Sequence, residues 1–325
     1  MYNKKIVVLG GGTGQFNLLR GLVKLNSPEK ITAIAGSWDS GRSSGRLRTE
    51  MGILPPGDAR QCLIALMGDP AQQEVAIATF NDRSINDHAL GNLIIAILEK
   101  VYHGPDRALE KFRKLFLIKS KVFAISLTDL ELNALLQSGK TLQGEEAIDT
   151  HQIKRGYNPK DKIARIFFTK KGEANPLALK AIREADLIVL SSGSLYGSVL
   201  PHLLVDKVQK AIAQTRGKVI FVLNLMTEDG QTQGYSAPDH LQALFYYLEE
   251  KNLDYMIVNK KKIDGAVLKI YKKEKQEPVR LDEEKCKKIA PKLQVIYKEL
   301  ASYMPKEHLL RHDPLKLAKT ILDLN

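Results

Sequence analysis

Ile6-Val7-Val8-Leu9-Gly10-Gly11-Gly12-Thr13-Gly14 is a β-branched apolar run ending in glycines, and Leu18, Leu19, Leu22 and Val23 then recur at helical spacing. A strand, a glycine turn and a helix in that order make the first βα unit of a parallel sheet. The turn also has chemistry. Backbone N–H groups at a helix start can hold a phosphate, and glycine lets the oxyanion come close where a Cβ would block it. Counting G-x-G-x-x-G from Gly10 puts Gln15 at the third glycine, so the dinucleotide fingerprint is incomplete. No G-x-x-x-x-G-K-[ST] occurs either, which disfavours a P-loop nucleotide triphosphatase.

The same rhythm continues outward. Ile31 to Ala35 reads as a second strand, Leu187 to Leu190 precedes a helix around Leu200 to Ile212, and Val219 to Leu223 precedes one around Pro238 to Leu248. Asp254 to Val258 and Leu293 to Leu300 read as further strands, and Asp313-Pro314 starts a last helix with Asp313 as N-cap. These units predict a three-layer α/β/α Rossmann-like fold with a mostly parallel sheet. The expected organisation is one domain, 1–325, with its core in about 1–50 and 180–325. A helical insertion at about 58–118, with Asp58 and Asp87 as N-caps, and a β-rich insertion at about 119–170 interrupt it. The latter contains a hairpin, Leu130 to Leu142, turning at Ser138-Gly139-Lys140.

Of 325 residues, 44% are apolar and 26% charged, and 49 Lys and Arg against 37 Asp and Glu leave a net +12. Anionic partners follow from that charge. Residues 251–300 carry 14 basic against 8 acidic side chains, in short runs broken by Glu, which reads as a solvated face rather than a nucleic-acid groove. Nucleic-acid binding is kept as the alternative from another class. Cys62 and Cys286 form no disulfide framework or zinc pattern, which fits a reducing, cytoplasmic setting. Ile6 to Leu9 is too short for a signal-peptide core. The uncharged run Leu187 to Val205 includes Ser191, Ser192, Gly193, Ser194, Gly197 and Pro201, so it reads as strand, loop and helix and no membrane span is expected.

After the second strand, Trp38 to Arg46 gathers the Asp39 carboxylate, the hydroxyls of Ser40, Ser43 and Ser44, and guanidinium groups, with Arg48 and Arg60 beyond. Such a loop suits phosphate, sugar hydroxyls or a metal-bridged pyrophosphate. Gly41 to Gly45 also satisfies G-x-S-x-G, but Ser43 falls several residues past the strand end, where a nucleophile elbow does not sit. Asp58 divides evenly between capping and ligand contact, as do Ser236 and Asp239. In His88 to Asn92, Asn92 can read a base or hydroxyl, while a lone His88 is more often a structural hydrogen bonder. Ser192 to Ser198 and Asn224 to Thr227 follow strands of the second half. In an open α/β sheet the ligand lies beyond the strands' carboxyl ends, so these loops and the glycine loop should converge.

Seven ordered segments carry a resemblance: Gly10 to Gly14, Asp39 to Arg48, Ile53 to Asp58, His88 to Asn92, Gly193 to Tyr196, Asn224 to Thr227 and Gly234-Tyr235-Ser236. Together they resemble the gluconeogenesis factor family, the bacterial branch of the CofD-like superfamily, whose archaeal relatives are 2-phospho-L-lactate transferases. The resemblance runs from Lys5 to about Asp323. It implies a CofD-like fold, a cytoplasmic homodimer, binding of a nucleotide diphosphate sugar such as UDP-N-acetylglucosamine, and a regulatory role in carbon metabolism and cell-wall or cell-shape control. No tightly bound cofactor is implied. Carried over by position, Gly11, Gly12, Thr13 and Gly14 would hold the diphosphate with Ser43, Ser44 and Arg46 nearby. Asn92, Gly193, Ser194, Tyr196, Asn224 and Thr227 would line the rest. The alternative is a metal-dependent transferase of a phosphorylated group from a nucleotide diphosphate donor, with Asp39 binding Mg²⁺ and positioning the acceptor. Where the family usually has two acids and two glycines before the serine pair, this chain has Asp39-Ser40-Gly41-Arg42, and Ser191-Ser192 replaces Gly-Pro. Losing one carboxylate weakens the transferase expectation and favours binding.

Overall fold

The computed structural model describes residues 1–249, 252–305 and 308–324. Its strands are β1 (Ile6–Gly10), β2 (Ile31–Ala35), β3 (Lys121–Ala124), β4 (Leu132–Leu136), β5 (Thr141–Gln143), β6 (Ile163–Phe168), β7 (Leu187–Leu190), β8 (Lys218–Val222), β9 (Tyr255–Asn259), β10 (Gln294–Lys298), β11 (Ala301–Met304) and β12 (Leu309–His312). Seven of them form one sheet in the order β10-β9-β8-β7-β1-β2-β3, and every neighbouring pair is parallel. β1, β2 and β7 are buried along their whole length, which requires apolar side chains on both faces. Val7 and Leu9 enter one core layer and Ile6 and Val8 the other, following the two-residue alternation of a strand.

The helices supply the outer layers. α1 (Gly12–Leu25) packs against the last helix, Pro314–Leu322. Between β2 and β3 come α2 (Arg42–Met51), α3 (Gly57–Ala65), α4 (Pro70–Phe80), α5 (Leu90–Tyr102) and α6 (Pro105–Leu115). β5-β4-β6 make a small antiparallel sheet, turning at Gly139 with φ +89°, and α7 (Glu145–Thr150) follows β5. Asp313 accepts from the Lys316 N–H as the expected cap. The Asp58 and Asp87 caps differ. α3 starts after Pro56 and the Asp58 carboxylate turns away to the N–H of Gly12, while α5 starts after Ala89 and Asp87 sits in a left-handed turn. The helix expected from Leu200 to Ile212 is split, because Lys207 at φ +66° separates Pro201–Leu204 from Val208–Gln214.

The chain enters the sheet in the middle, fills β2 and β3 on one side, and returns through β7 to fill the other. The direction of strand order therefore reverses between β1 and β7. At such a switch point the connecting loops part and leave a crevice at the carboxyl ends of the strands. Several lysines of the 251–300 stretch are paired: Lys285 with Asp282 (3.1 Å), Lys287 with Glu283 (2.8 Å) and Lys275 with Asp229 (3.4 Å). Among the described residues no helix is long and apolar enough to cross a membrane.

Candidate functional site

The crevice between β1 and β7 is a cleft of about 460 Å³, a size that accommodates a small organic ligand. Its floor is the first turn of α1. Gly14 is required there, since a Cβ would come 1.7 Å from the Ser192 carbonyl oxygen, which shows how closely the β1 and β7 loops meet. The β8 loop is joined to them: Asn224 donates from Nδ2 to the Gly193 carbonyl (2.7 Å) and accepts from the Gly193 N–H (3.3 Å). Ser194 Oγ donates to Gln231 Oε1 (2.8 Å) and accepts from the Gly197 N–H (3.0 Å). Three loops thus form one polar rim with its backbone conformation fixed by side-chain hydrogen bonds.

Carboxyl groups also line the cleft. Asp39 follows β2, Asp58 lies in the first turn of α3, Glu145 and Asp149 are one turn apart on α7, and Glu228 follows β8. Asp58 Oδ1 accepts the Gly12 N–H at 3.0 Å, so it occupies one of the free donors at the start of α1. Burial and the Asp39 charge push Asp58 up to about 7. Burial raises Asp39 too, although the Ser44 hydroxyl and the Gly41 N–H (2.9 Å) work against the rise. Glu145 is pushed up to about 10 by burial and by Asp149 beside it, and Asp149 is itself raised, mainly by burial. Burial and Asp149 take Glu228 to about 7, and its Oε2 has no hydrogen-bond partner.

Among the described residues Arg311 is the one Lys or Arg lining the cleft, and its Nε is unpartnered. Arg60 stands behind the acids, donating from Nη1 to the Phe80 carbonyl (2.9 Å) and to Asn81 Oδ1 (2.6 Å), and its charge favours ionised Asp39 and Asp58. Among the described residues no three His, Cys, Asp or Glu side chains surround one point as a metal cage. Mg²⁺ commonly takes only one or two carboxylates together with substrate phosphates. Asp39, with Asp58 close enough to repel it, has that donor chemistry.

Of the residues singled out in the sequence, Gly11, Gly12, Thr13, Gly14, Asp39, Gly193, Ser194, Asn224 and Thr227 all line the cleft. The others stand elsewhere. Asn92 Nδ2 donates to Ser43 Oγ (3.0 Å) and Ser44 Oγ (3.4 Å), and Ser43 hydrogen-bonds with His88 Nδ1 (3.2 Å), so these four residues tie α2 to the start of α5. Ser44 reaches the site through Asp39. Ser43 is 2% exposed, which leaves no access for a nucleophile. Arg46 turns outward to the Asn86 carbonyl (2.8 Å) and Glu50 (3.7 Å). Tyr196 is buried against Tyr235, hydroxyl to hydroxyl at 3.0 Å. Sequence reasoning passed over Glu145, Asp149, Glu228, Arg311 and His312 as cleft residues. The spacing of Glu145 and Asp149 on a helix was the available signal, but nothing local says which way that helix faces.

The family model described as 2-phospho-L-lactate transferase CofD matches residues 6–301. The chain belongs to the CofD family. This CofD-family chain is 38% identical over 329 residues to the gluconeogenesis factor of Halalkalibacterium halodurans, across 99% of this chain and 97% of that protein. It is 35% identical over 324 residues to the gluconeogenesis factor of Bacillus subtilis, across 98% of each. It is also similar to a crystal structure of a Bacillus halodurans protein, with a TM-score of 0.89 and 36% identity over 99% of this chain and 100% of that one. The CofD-like fold and the gluconeogenesis factor relatives agree with the seven sequence segments that resembled that family.

Proposed function

We propose that the cleft binds a nucleotide diphosphate sugar of the UDP-N-acetylglucosamine kind, and that this CofD-family chain is a cytoplasmic regulatory binding protein in carbon metabolism and cell-wall or cell-shape control. The observation that carries the reading is the joined rim of Gly11 to Gly14, Ser192 to Ser194 and Asn224 to Thr227 at the switch point of the sheet. Backbone N–H groups of the first loop other than that of Gly12, which Asp58 takes, suit a diphosphate, and the amide and hydroxyls of the other two suit a sugar or base. Glu145, kept protonated by burial and by Asp149 beside it, adds no negative charge to the cleft at neutral pH. Buried, unpaired Cys62 and Cys286 suit a reducing compartment. Thermal-shift measurements with UDP-N-acetylglucosamine, UDP and GDP, with and without Mg²⁺, test the reading. A rise in melting temperature supports it, and no response to any of them sinks it.

A second reading is favoured by the Asp39 and Asp58 pair. With Mg²⁺ bound between those carboxylates and the ligand phosphates, the metal would neutralise charge on a donor diphosphate, and the cleft would transfer a phosphorylated group. Asp39 would then hold the metal and orient the acceptor. Donor consumption in the presence of Mg²⁺ and candidate acceptors, lost in Asp39→Asn while binding survives, supports this reading; no consumption by the wild type rejects it.

A homodimer is also proposed. α5 leaves Ile97 (57%) and Val101 (59%) exposed one turn apart, with partly exposed Leu90 and Ile94 continuing the line at helical spacing. An apolar line of this kind suits a helix of a second copy.

A further inference from the structure

A second cavity of about 360 Å³ lies on the far side of α7, between the β4–β5 hairpin and the loop 151–161. Lys140, Lys154 and Arg155 stand around it with exposed side chains, and among the described residues Lys154 and Arg155 make no ion pair. The acid at its edge, Asp161, accepts from the N–H (2.8 Å) and hydroxyl (2.6 Å) of Ser138, which hold it ionised, and its charge is partly offset by Lys140. With Lys140 facing Asp161, Lys154 and Arg155 leave an excess of positive charge at this cavity, which an anion would offset. His151 also lines the cavity. It is 5% exposed, its Nδ1 donates to the Ile148 carbonyl (2.9 Å), and its Nε2 has no hydrogen-bond partner.

The wall between this cavity and the cleft is one short helix. Glu145 and Asp149 of α7 line the cleft, whereas Ala147 and His151, each two positions further on, line the cavity. Two positions are about 200° of helical turn, so the two pairs point to opposite sides. A second connection runs through the β8 loop. A Cβ on Gly230 would come 3.0 Å from His151 Cε1, and the neighbouring Gln231 donates from Nε2 to Asp149 Oδ1 (2.8 Å). His151 thus touches both the C-terminal end of α7, through the Ile148 carbonyl, and the loop that carries Glu228.

We propose that this cavity is a second anion site, for a small phosphate-bearing molecule with two or more negative charges, and that its occupancy is transmitted to the cleft through α7. The anion sits among Lys140, Lys154 and Arg155, the planar guanidinium supplying paired donors to phosphate oxygens. The site stands independently of the cleft's ligand, while any effect on that ligand's affinity rests on the function proposed above.

Inorganic pyrophosphate is the probe, titrated by calorimetry into the full chain without metal. Three proteins are compared: wild type, Lys154→Gln/Arg155→Gln, and Arg311→Gln in the cleft. The expected result is a saturable site that weakens about tenfold or more in the double variant, whose changes are both at exposed positions, and persists in Arg311→Gln; pyrophosphate held by the cleft's backbone N–H groups would register as a separate site unchanged in the double variant. No saturable site in the wild type overturns the proposal, as does unchanged affinity in the double variant or loss of binding in Arg311→Gln alone. Transmission is read from Trp38, the single tryptophan of the chain, which lines the cleft and donates from Nε1 to the Gly197 carbonyl at 2.7 Å. The emission change that titrates with this site should be present in wild type and Arg311→Gln and lost in the double variant. Binding with no emission change in the wild type contradicts the transmission. A cleft that ignores UDP-N-acetylglucosamine defeats the earlier reading while leaving the pyrophosphate titration intact.

Discussion

Asp58 and Glu228 are held up to about 7 by burial and by neighbouring carboxylates, whereas a carboxyl in the unfolded chain titrates near 4. Below pH 4 both states carry the proton and the folded chain has the full benefit. As pH rises from 4 through 7 the unfolded chain ionises freely and the folded one does not, so stability is lost. His202 and His312, lowered to about 4 by burial, act in the opposite sense, with stability lost as pH falls from 6.5 through 4. The two windows overlap, so the acid loss and the histidine gain largely offset each other between about pH 4.5 and 6.5, and the melting temperature should fall above about pH 6.5, where the histidines no longer change and the folded acids ionise. Glu228→Gln should flatten the alkaline fall and raise stability at pH 8 by about 1–2 kcal/mol, since relaxation of the site around the ionised carboxylate offsets part of its burial penalty. A steeper fall in the variant would contradict the assignment. At this scale the sequence was least legible. Gly12, Gly14 and Asn224 announce themselves by type and position after a strand, but the burial that makes Asp58, Glu145 and Glu228 unusual comes from chain segments far away in the sequence.

α5 and α7 show what a helix can hide in one dimension. α5 is apolar on almost every side, so its sequence says that it is buried, yet Ile97 and Val101 face outward. Ile97→Glu/Val101→Glu should convert a dimer to a monomer in light scattering while leaving the circular dichroism of the chain unchanged. A wild-type monomer, or a dimer that survives both charges, removes α5 as the interface. Element boundaries failed where tertiary contacts outbid local signals. Asp58 has the position of a cap, but the open N–H of Gly12 takes its carboxylate instead; the 200–212 helix is interrupted because Lys207 takes a left-handed turn. The hairpin at Ser138-Gly139 and the Asp313-Pro314 helix start were legible because turn glycine and cap chemistry are local.

For the whole molecule, alternation of apolar strands with helical segments was enough to give a parallel sheet, since right-handed crossovers leave few arrangements. The reversal between β1 and β7 then locates the cleft before any side chain is considered. Charge proved a poor guide at this scale. The net +12 suggests a basic site, but the cleft is lined by Asp39, Asp58, Glu145, Asp149 and Glu228, with Arg311 the single Lys or Arg among the described lining residues. On the proposed function, anion binding there would depend on backbone N–H groups, carboxyls kept neutral by burial and a metal ion where one is present, rather than on the excess of lysine. The central claim is most directly tested by calorimetric titration of the full chain with UDP-N-acetylglucosamine, alongside Asn224→Ala. One saturable site per chain, weakened about tenfold when the Asn224 bridge to Gly193 is removed, is the predicted result. No saturable heat in the wild type, with or without Mg²⁺, would contradict it.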